Sequence, residues 1–323
     1  MPLIYDPTSK TANGGTELMM RGLEQRLDPE LSKHFSIGRA LMMFDPKSIR
    51  VYWTHNLPNQ LFRIRQVNER MALTNSRRWQ YNESIVFVSE WQKQEYIKYY
   101  EIKPFEYSRL KVIHNTITPV QEHTKPVDKL RIIYTSVPNK GLTVLYPVFK
   151  RLAEKYPIEL EVYSSFVLYG MENVDSFKHQ ELLEELNQDP KVIYHKYGTN
   201  EQVIASLQDS HIYACPSTYL ETSCIALIEA MSAKCLCVHS NNGALPETSA
   251  GHTNMYEYHS SQQQHESAFE QALEKTINQY LSGDILHLDA QKQYADSKYS
   301  WSVVLPEWEN HLNSLLQPKL MRA

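Results

Sequence analysis

The stretch from Tyr213 to Glu247 constrains the fold of this chain more than any other. Tyr213-Ala214-Cys215-Pro216-Ser217 reads as the end of a strand, and Thr218 to Thr222 as a polar loop. Ser223 to Ala233, rich in Ala, Leu, Ile and Met, reads as a helix, and Cys235 to His239 as a second strand running into Asn241-Asn242-Gly243. Strand, loop, apolar helix and strand in so short a span make a βαβ unit, the building block of a parallel sheet.

Two carboxylates frame the helix, Glu221 in the loop before it and Glu229 inside it, with seven residues between them. Ile225, Leu227, Ile228 and Met231 surround Glu229, so the helix is expected to be buried on most sides. A carboxylate there is costly unless something hydrogen-bonds to it, and ligand hydroxyls would do so. The free N–H groups at the helix start, around Thr222, Ser223, Cys224 and Ile225, suit a phosphate that the helix dipole also favours. A sugar nucleotide carries both kinds of group.

On these residues the chain resembles the retaining glycosyltransferases of family four, whose E-x7-E signature matches Glu221 and Glu229. Asn242-Gly243-Ala244-Leu245-Pro246-Glu247 is similar to that family's G-G-x-P-E loop, with Asn in the first position. The resemblance implies a GT-B fold, two Rossmann-like α/β domains facing a central cleft. It also implies that Glu221 holds hydroxyls of the donor sugar and Glu229 those of the ribose. The co-substrate would be a nucleoside diphosphate sugar.

Other segments extend the resemblance. Asn13-Gly14-Gly15-Thr16-Glu17 opens a helix and is similar to the family's G-G-x-E loop, which implies that Gly14, Gly15 and Thr16 face the donor phosphates and sugar. His55 follows the strand Val51-Tyr52-Trp53-Thr54 at the edge where open α/β sheets place ligands. It can exchange a proton near neutral pH or donate to a developing negative charge; the alternative is a histidine that only caps a loop. Lys140 stands just before the helix that begins at Leu142, a place suited to a diphosphate. The resemblance would put an Arg where Tyr134 stands, which leaves Lys140 and backbone groups to carry that charge. Gly198, in the turn Tyr197-Gly198-Thr199-Asn200, lies in the segment the resemblance assigns to the nucleobase.

At 323 residues the chain suits two domains, and its 42% hydrophobic and 22% charged residues are those of a globular enzyme. Residues 1–122 are expected to form an acceptor-side domain onto which helix 302–318 packs back, and residues 123–301 the donor domain. Residues 1–125 hold 18 Lys and Arg against 13 Asp and Glu, and the remainder 15 against 24. A basic first half suggests an anionic partner. Arg63, Arg65 and Arg70 on an expected helix over 59–71, with Arg77 and Arg78, could meet an anionic membrane or glycan. No nucleic-acid-binding signature is present.

Cys215, Cys224, Cys235 and Cys237 form no metal or redox motif and read as buried thiols. No D-x-D sequence occurs, which agrees with an enzyme that needs no metal. The N-terminus lacks the pattern of a signal peptide and no apolar run is long enough to cross a bilayer, so a cytoplasmic protein is expected. No side chain is an obvious enzymatic nucleophile. Two rival readings are a GT-B epimerase or hydrolase acting on a nucleotide sugar, and a non-catalytic nucleotide-sugar binding subunit.

Overall fold

The computed structural model of the chain describes residues 4–5, 14–38, 48–58, 82–169 and 172–320. The expected helix over 59–71 and the arginines at 63, 65, 70, 77 and 78 lie outside them, as does Asn13. The chain divides into two compact units, Met1–Thr116 with Trp301–Ala323, and Ile117–Ser300.

Among the described residues, the sheet of the first unit contains β1 (Ile4–Tyr5), β2 (Phe35–Gly38), β3 (Ile49–Thr54), β4 (Ser84–Phe87) and β5 (Leu110–Val112), in that order. Every pairing in it is parallel. Ile49, Val51, Tyr52 and Trp53 are buried along β3, and all four residues of β4 are buried. Such strands need cover on both faces of a parallel sheet. The C-terminal helix Trp301–Leu320 belongs to this unit: the Trp308 ring meets that of Trp53 edge-on at 4.8 Å, and His311 Nε2 lies 2.8 Å from Ser84 Oγ.

The second unit holds β6 (Leu130–Thr135), β7 (Ile158–Tyr163), β8 (Val192–His195), β9 (Ile212–Cys215), β10 (Leu236–Ser240) and β11 (Asn254–Tyr256). Their spatial order is β11-β10-β9-β6-β7-β8, again all parallel. This is the doubly wound Rossmann order, and the direction of winding reverses between β6 and β9. One face is covered by the helices Leu142–Leu152 and Gln262–Leu281, which bury Leu145, Phe149, Phe269, Leu273 and Ile277. The other face is covered by the helix Ile225–Ser232, which buries Leu227, Ile228 and Met231.

The helix after β9 starts at Ile225, two residues later than its composition suggests. Cys224 is its N-cap, in extended geometry with φ −111° and ψ 96°, so Thr222 and Ser223 belong to the loop. All four cysteines are buried and free. Among the described residues no helix is long and apolar enough to cross a membrane.

Candidate functional site

Ligands of open α/β sheets bind beyond the carboxyl ends of the strands, where the winding reverses. In the second unit that point is flanked by the loop leaving β6, which carries Lys140, and the loop leaving β9, which carries Glu221. These two side chains meet: Lys140 Nζ donates to Glu221 Oε2 at 3.0 Å. Ser217 Oγ, itself fully buried, lies 3.2 Å from Glu221 Oε1. Among the described residues each carboxylate oxygen thus has one side-chain partner, which leaves lone-pair capacity for a further donor. The Lys140 ammonium also sits 5.1 Å from the centre of the Tyr219 ring.

Two glycines permit this arrangement. Gly141 has φ +124°, and a Cβ there would stand 2.3 Å from the Pro216 carbonyl oxygen, so the Lys140 loop can lie directly on the chain leaving β9. Gly243 has φ +68°, and a Cβ there would stand 2.4 Å from the backbone oxygen of Glu221. The loop after β10 therefore approaches closely enough for Ala244 N to donate to the Glu221 carbonyl at 2.7 Å. Asn242, in the first position of that loop motif, donates through Nδ2 to the Tyr219 carbonyl at 3.1 Å. Three loops from three strands thereby fix one glutamate.

Burial tends to lower the pKa of the Lys140 amine, but the Glu221 carboxylate beside it more than offsets this and holds it well above the ordinary lysine value. Lys140 is accordingly a full cation. Glu229 has the opposite problem. It is buried in the middle of its helix among Leu227, Ile228, Ala230 and Met231. Burial pushes its carboxyl up to about 7, opposed only by the Asn200 amide, whose Nδ2 donates to Oε1 at 3.0 Å.

Asn200 and Ser217 were not marked by the sequence as site residues, because each is recognised only by the partner the fold brings to it. Tyr134 does not stand in for a cation. It is fully buried, its hydroxyl donates to the Val137 carbonyl at 2.8 Å, and it braces the Lys140 loop from below. Thr222 and Ser223 precede the helix, Cys224 caps it without a side-chain hydrogen bond, and only Ile225 of the four lies within it. Gly198 follows β8 and lies against the Tyr163 ring, which stacks on His195 at 4.3 Å.

The remaining expected residues belong to the first unit. Gly14 is the N-cap of the helix Gly15–Arg26, again without a side-chain cap, and Thr16 lies in its first turn. His55 follows β3, with its ring 4.7 Å from that of Trp53.

Two all-parallel Rossmann-like units, the second bearing a paired cation and carboxylate at its switch point, define a GT-B protein. Residues 119–295 match the model of the glycosyl transferases group 1, and the chain belongs to that family. It is a glycosyltransferase. No curated protein matches the chain by sequence. Among solved structures it is similar to a glycosyltransferase from Rickettsia africae, with TM-score 0.64 and 15% identity over 97% of this chain and 84% of that one. It is also similar to WaaG, described as a glycosyltransferase involved in lipopolysaccharide biosynthesis, with TM-score 0.57 and 16% identity over 95% and 85%. A third is HepE of Anabaena, solved with UDP and glucose, with TM-score 0.62 and 15% identity over 94% and 77%. At these identities the likeness speaks for the fold.

Proposed function

We propose that this chain is a retaining glycosyltransferase of family four that transfers a hexose from a UDP- or GDP-sugar to a glycan, lipid or other acceptor without a metal. The observation that carries the reading is the Lys140–Glu221 pair at the switch point of the second unit. A diphosphate needs a fixed cation and a sugar needs fixed acceptors, and both are present on loops clamped to one another.

In this reading Lys140 neutralises the charge that grows on the leaving diphosphate. The remaining lone pairs of Glu221 take sugar hydroxyls, and Glu229 takes the ribose hydroxyls while Asn200 orients it. Backbone N–H groups from Thr222 to Ile225 add donors for the phosphates, and Gly198 marks the turn beside the base. In the first unit, Gly14, Gly15 and Thr16 keep a donor-binding role, and His55 donates to the developing charge at the reacting centre. The cation at Lys140, paired with Glu221, favours catalysis by positioning and electrostatics. A uridine nucleotide is favoured by the likeness to HepE, which was solved with UDP and glucose. The basic N-terminal half is the candidate contact for an anionic membrane.

A thermal-shift screen of nucleotides and sugar nucleotides tests this reading. A ligand present at about 100 times its Kd stabilises its site by roughly 2.7 kcal/mol. A shift with UDP and a UDP-sugar, or with the guanosine pair, is the expected result. No shift with any nucleoside diphosphate, in protein shown to be folded, would remove the reading.

A further inference from the structure

The loop that carries His55 is held by a polar cluster that neither the family match nor the donor site accounts for. Helix Glu90–Tyr100, capped by Ser89 accepting from Gln92 N, presents Gln92 and Tyr96, both fully buried, beneath the end of β3. Tyr96 Oη donates to the Asn56 carbonyl at 2.9 Å, and Gln92 Nε2 donates to the same oxygen at 3.0 Å. Thr54 Oγ1 approaches the same oxygen at 3.3 Å, so three side chains converge on this carbonyl. Gln92 Nε2 also reaches the Thr54 carbonyl at 3.3 Å, and Gln92 Oε1 accepts from Val88 N at 2.8 Å. Thr54 Oγ1 lies 2.7 Å from Tyr96 Oη, and donating to it would leave the tyrosine proton for Asn56. The carbonyl groups of the residues before and after His55 are therefore tied to one glutamine, which is anchored in turn to the end of the neighbouring strand.

Burying a glutamine amide and a tyrosine hydroxyl needs fully matched partners, and an apolar pair would fill the same space without that demand. Apart from the Thr54 hydroxyl, the partners named here are backbone groups of one short loop or the strand beside it. We infer that Gln92 and Tyr96 are positioning residues that fix the backbone around His55, so that its ring is held ready for the reaction. This rests on the role given to His55 above. A misplacement of about 1 Å can reduce turnover by roughly 100-fold, so such a clamp has a use in an enzyme.

The test uses the full chain in wild-type form and as Tyr96→Phe, His55→Ala and the double variant, with His55→Gln to assign the His55 ring resonances in isotopically labelled protein. One readout is the His55 ring signal and the other is nucleoside diphosphate release from UDP-glucose and GDP-mannose. Tyr96→Phe is expected to shift or broaden the His55 signal while those of His211 and His239 stay in place. It should lower kcat by about 10-fold, a 1.4 kcal/mol effect, without changing KM for the donor. In the His55→Ala background the same change should alter kcat by less than about 2-fold. An unmoved His55 signal, or a 10-fold loss that persists without His55, overturns the inference. A His55 signal that moves while His55→Ala keeps wild-type kcat supports the clamp and overturns the catalytic role of His55. Gln92→Glu, which sets a carboxylate oxygen against two carbonyls, should reproduce the Tyr96→Phe result.

Discussion

Glu229→Gln should make the protein more stable, and increasingly so as pH rises. The buried carboxyl titrates at about 7 instead of its ordinary 4.5, so the folded state holds its proton over a range in which the unfolded state has lost it. Below about pH 4.5 both states are protonated and the group is neutral in the balance. Between 4.5 and 7 the unfolded chain binds fewer protons than the folded one, so stability falls as pH rises, by up to about 1.4 kcal/mol per unit. Above 7 the full cost, on the order of 3 kcal/mol, is present. Glutamine has the shape of the protonated acid and can still accept from Asn200, so it removes this cost without opening a cavity. Urea unfolding of wild type and variant at pH 5, 6, 7 and 8 reads the effect as a difference in midpoint at unchanged slope. A gap that opens from about 1 kcal/mol at pH 5 to about 3 kcal/mol at pH 8 is expected, and a gap independent of pH would refute the reasoning. If a ribose hydrogen-bonds to the ionised carboxylate, nucleotide binding to wild type at pH 6 should also release about one proton, visible by calorimetry in buffers of different ionisation enthalpy.

Lys140→Ala should weaken nucleoside diphosphate about 10-fold to 150-fold and the bare nucleoside far less, because a charge-assisted hydrogen bond contributes about 1.5 to 3 kcal/mol; equal losses by calorimetry would make Lys140 purely structural. Glu221→Gln keeps the contact with Ser217 and should reduce sugar transfer strongly while nucleoside diphosphate affinity changes by less than about 3-fold, since its job is on the sugar. Gly243→Ala forces a side chain into a left-handed backbone against Glu221, so it should cost about 1 to 3 kcal/mol and weaken sugar nucleotide more than free nucleotide. Wild-type melting temperature and affinity in that variant would show that the close approach is dispensable.

The strands around Val51–Thr54, Tyr213–Cys215 and Leu236–His239 were legible as short, mostly apolar runs, whereas Phe35–Gly38 and Asn254–Tyr256, short and interrupted by Ser, Gly or Asn, were not; the Glu221–Glu229 spacing was legible because a loop and a helix keep fixed offsets. The helix start was misplaced because Ser223 looks like a good N-cap, whereas Cys224, in extended geometry and without a side-chain cap, takes that place. The helix Gln262–Leu281 was passed over, although His265, Phe269, Leu273 and Ile277 recur every four residues, because polar side chains crowd the positions between them. Lys140 could be singled out by its loop, but its partner could not, since 81 positions separate it from Glu221. Asn200 was hidden for the same reason, being defined as a site residue only by Glu229, 29 positions away.

The placement of the four cysteines gives the chain an internal clock. All of them lie in the core of the second unit, and the sequence has none elsewhere. A thiol reagent is therefore excluded until that unit opens, and opening of the first unit exposes nothing that reacts. The rate of labelling, followed over a range of reagent concentrations, reports how often the second unit opens on its own. Because a bound nucleotide must slow that rate by the factor with which it stabilises the unit, unmodified protein can report its own occupancy without a substrate being turned over.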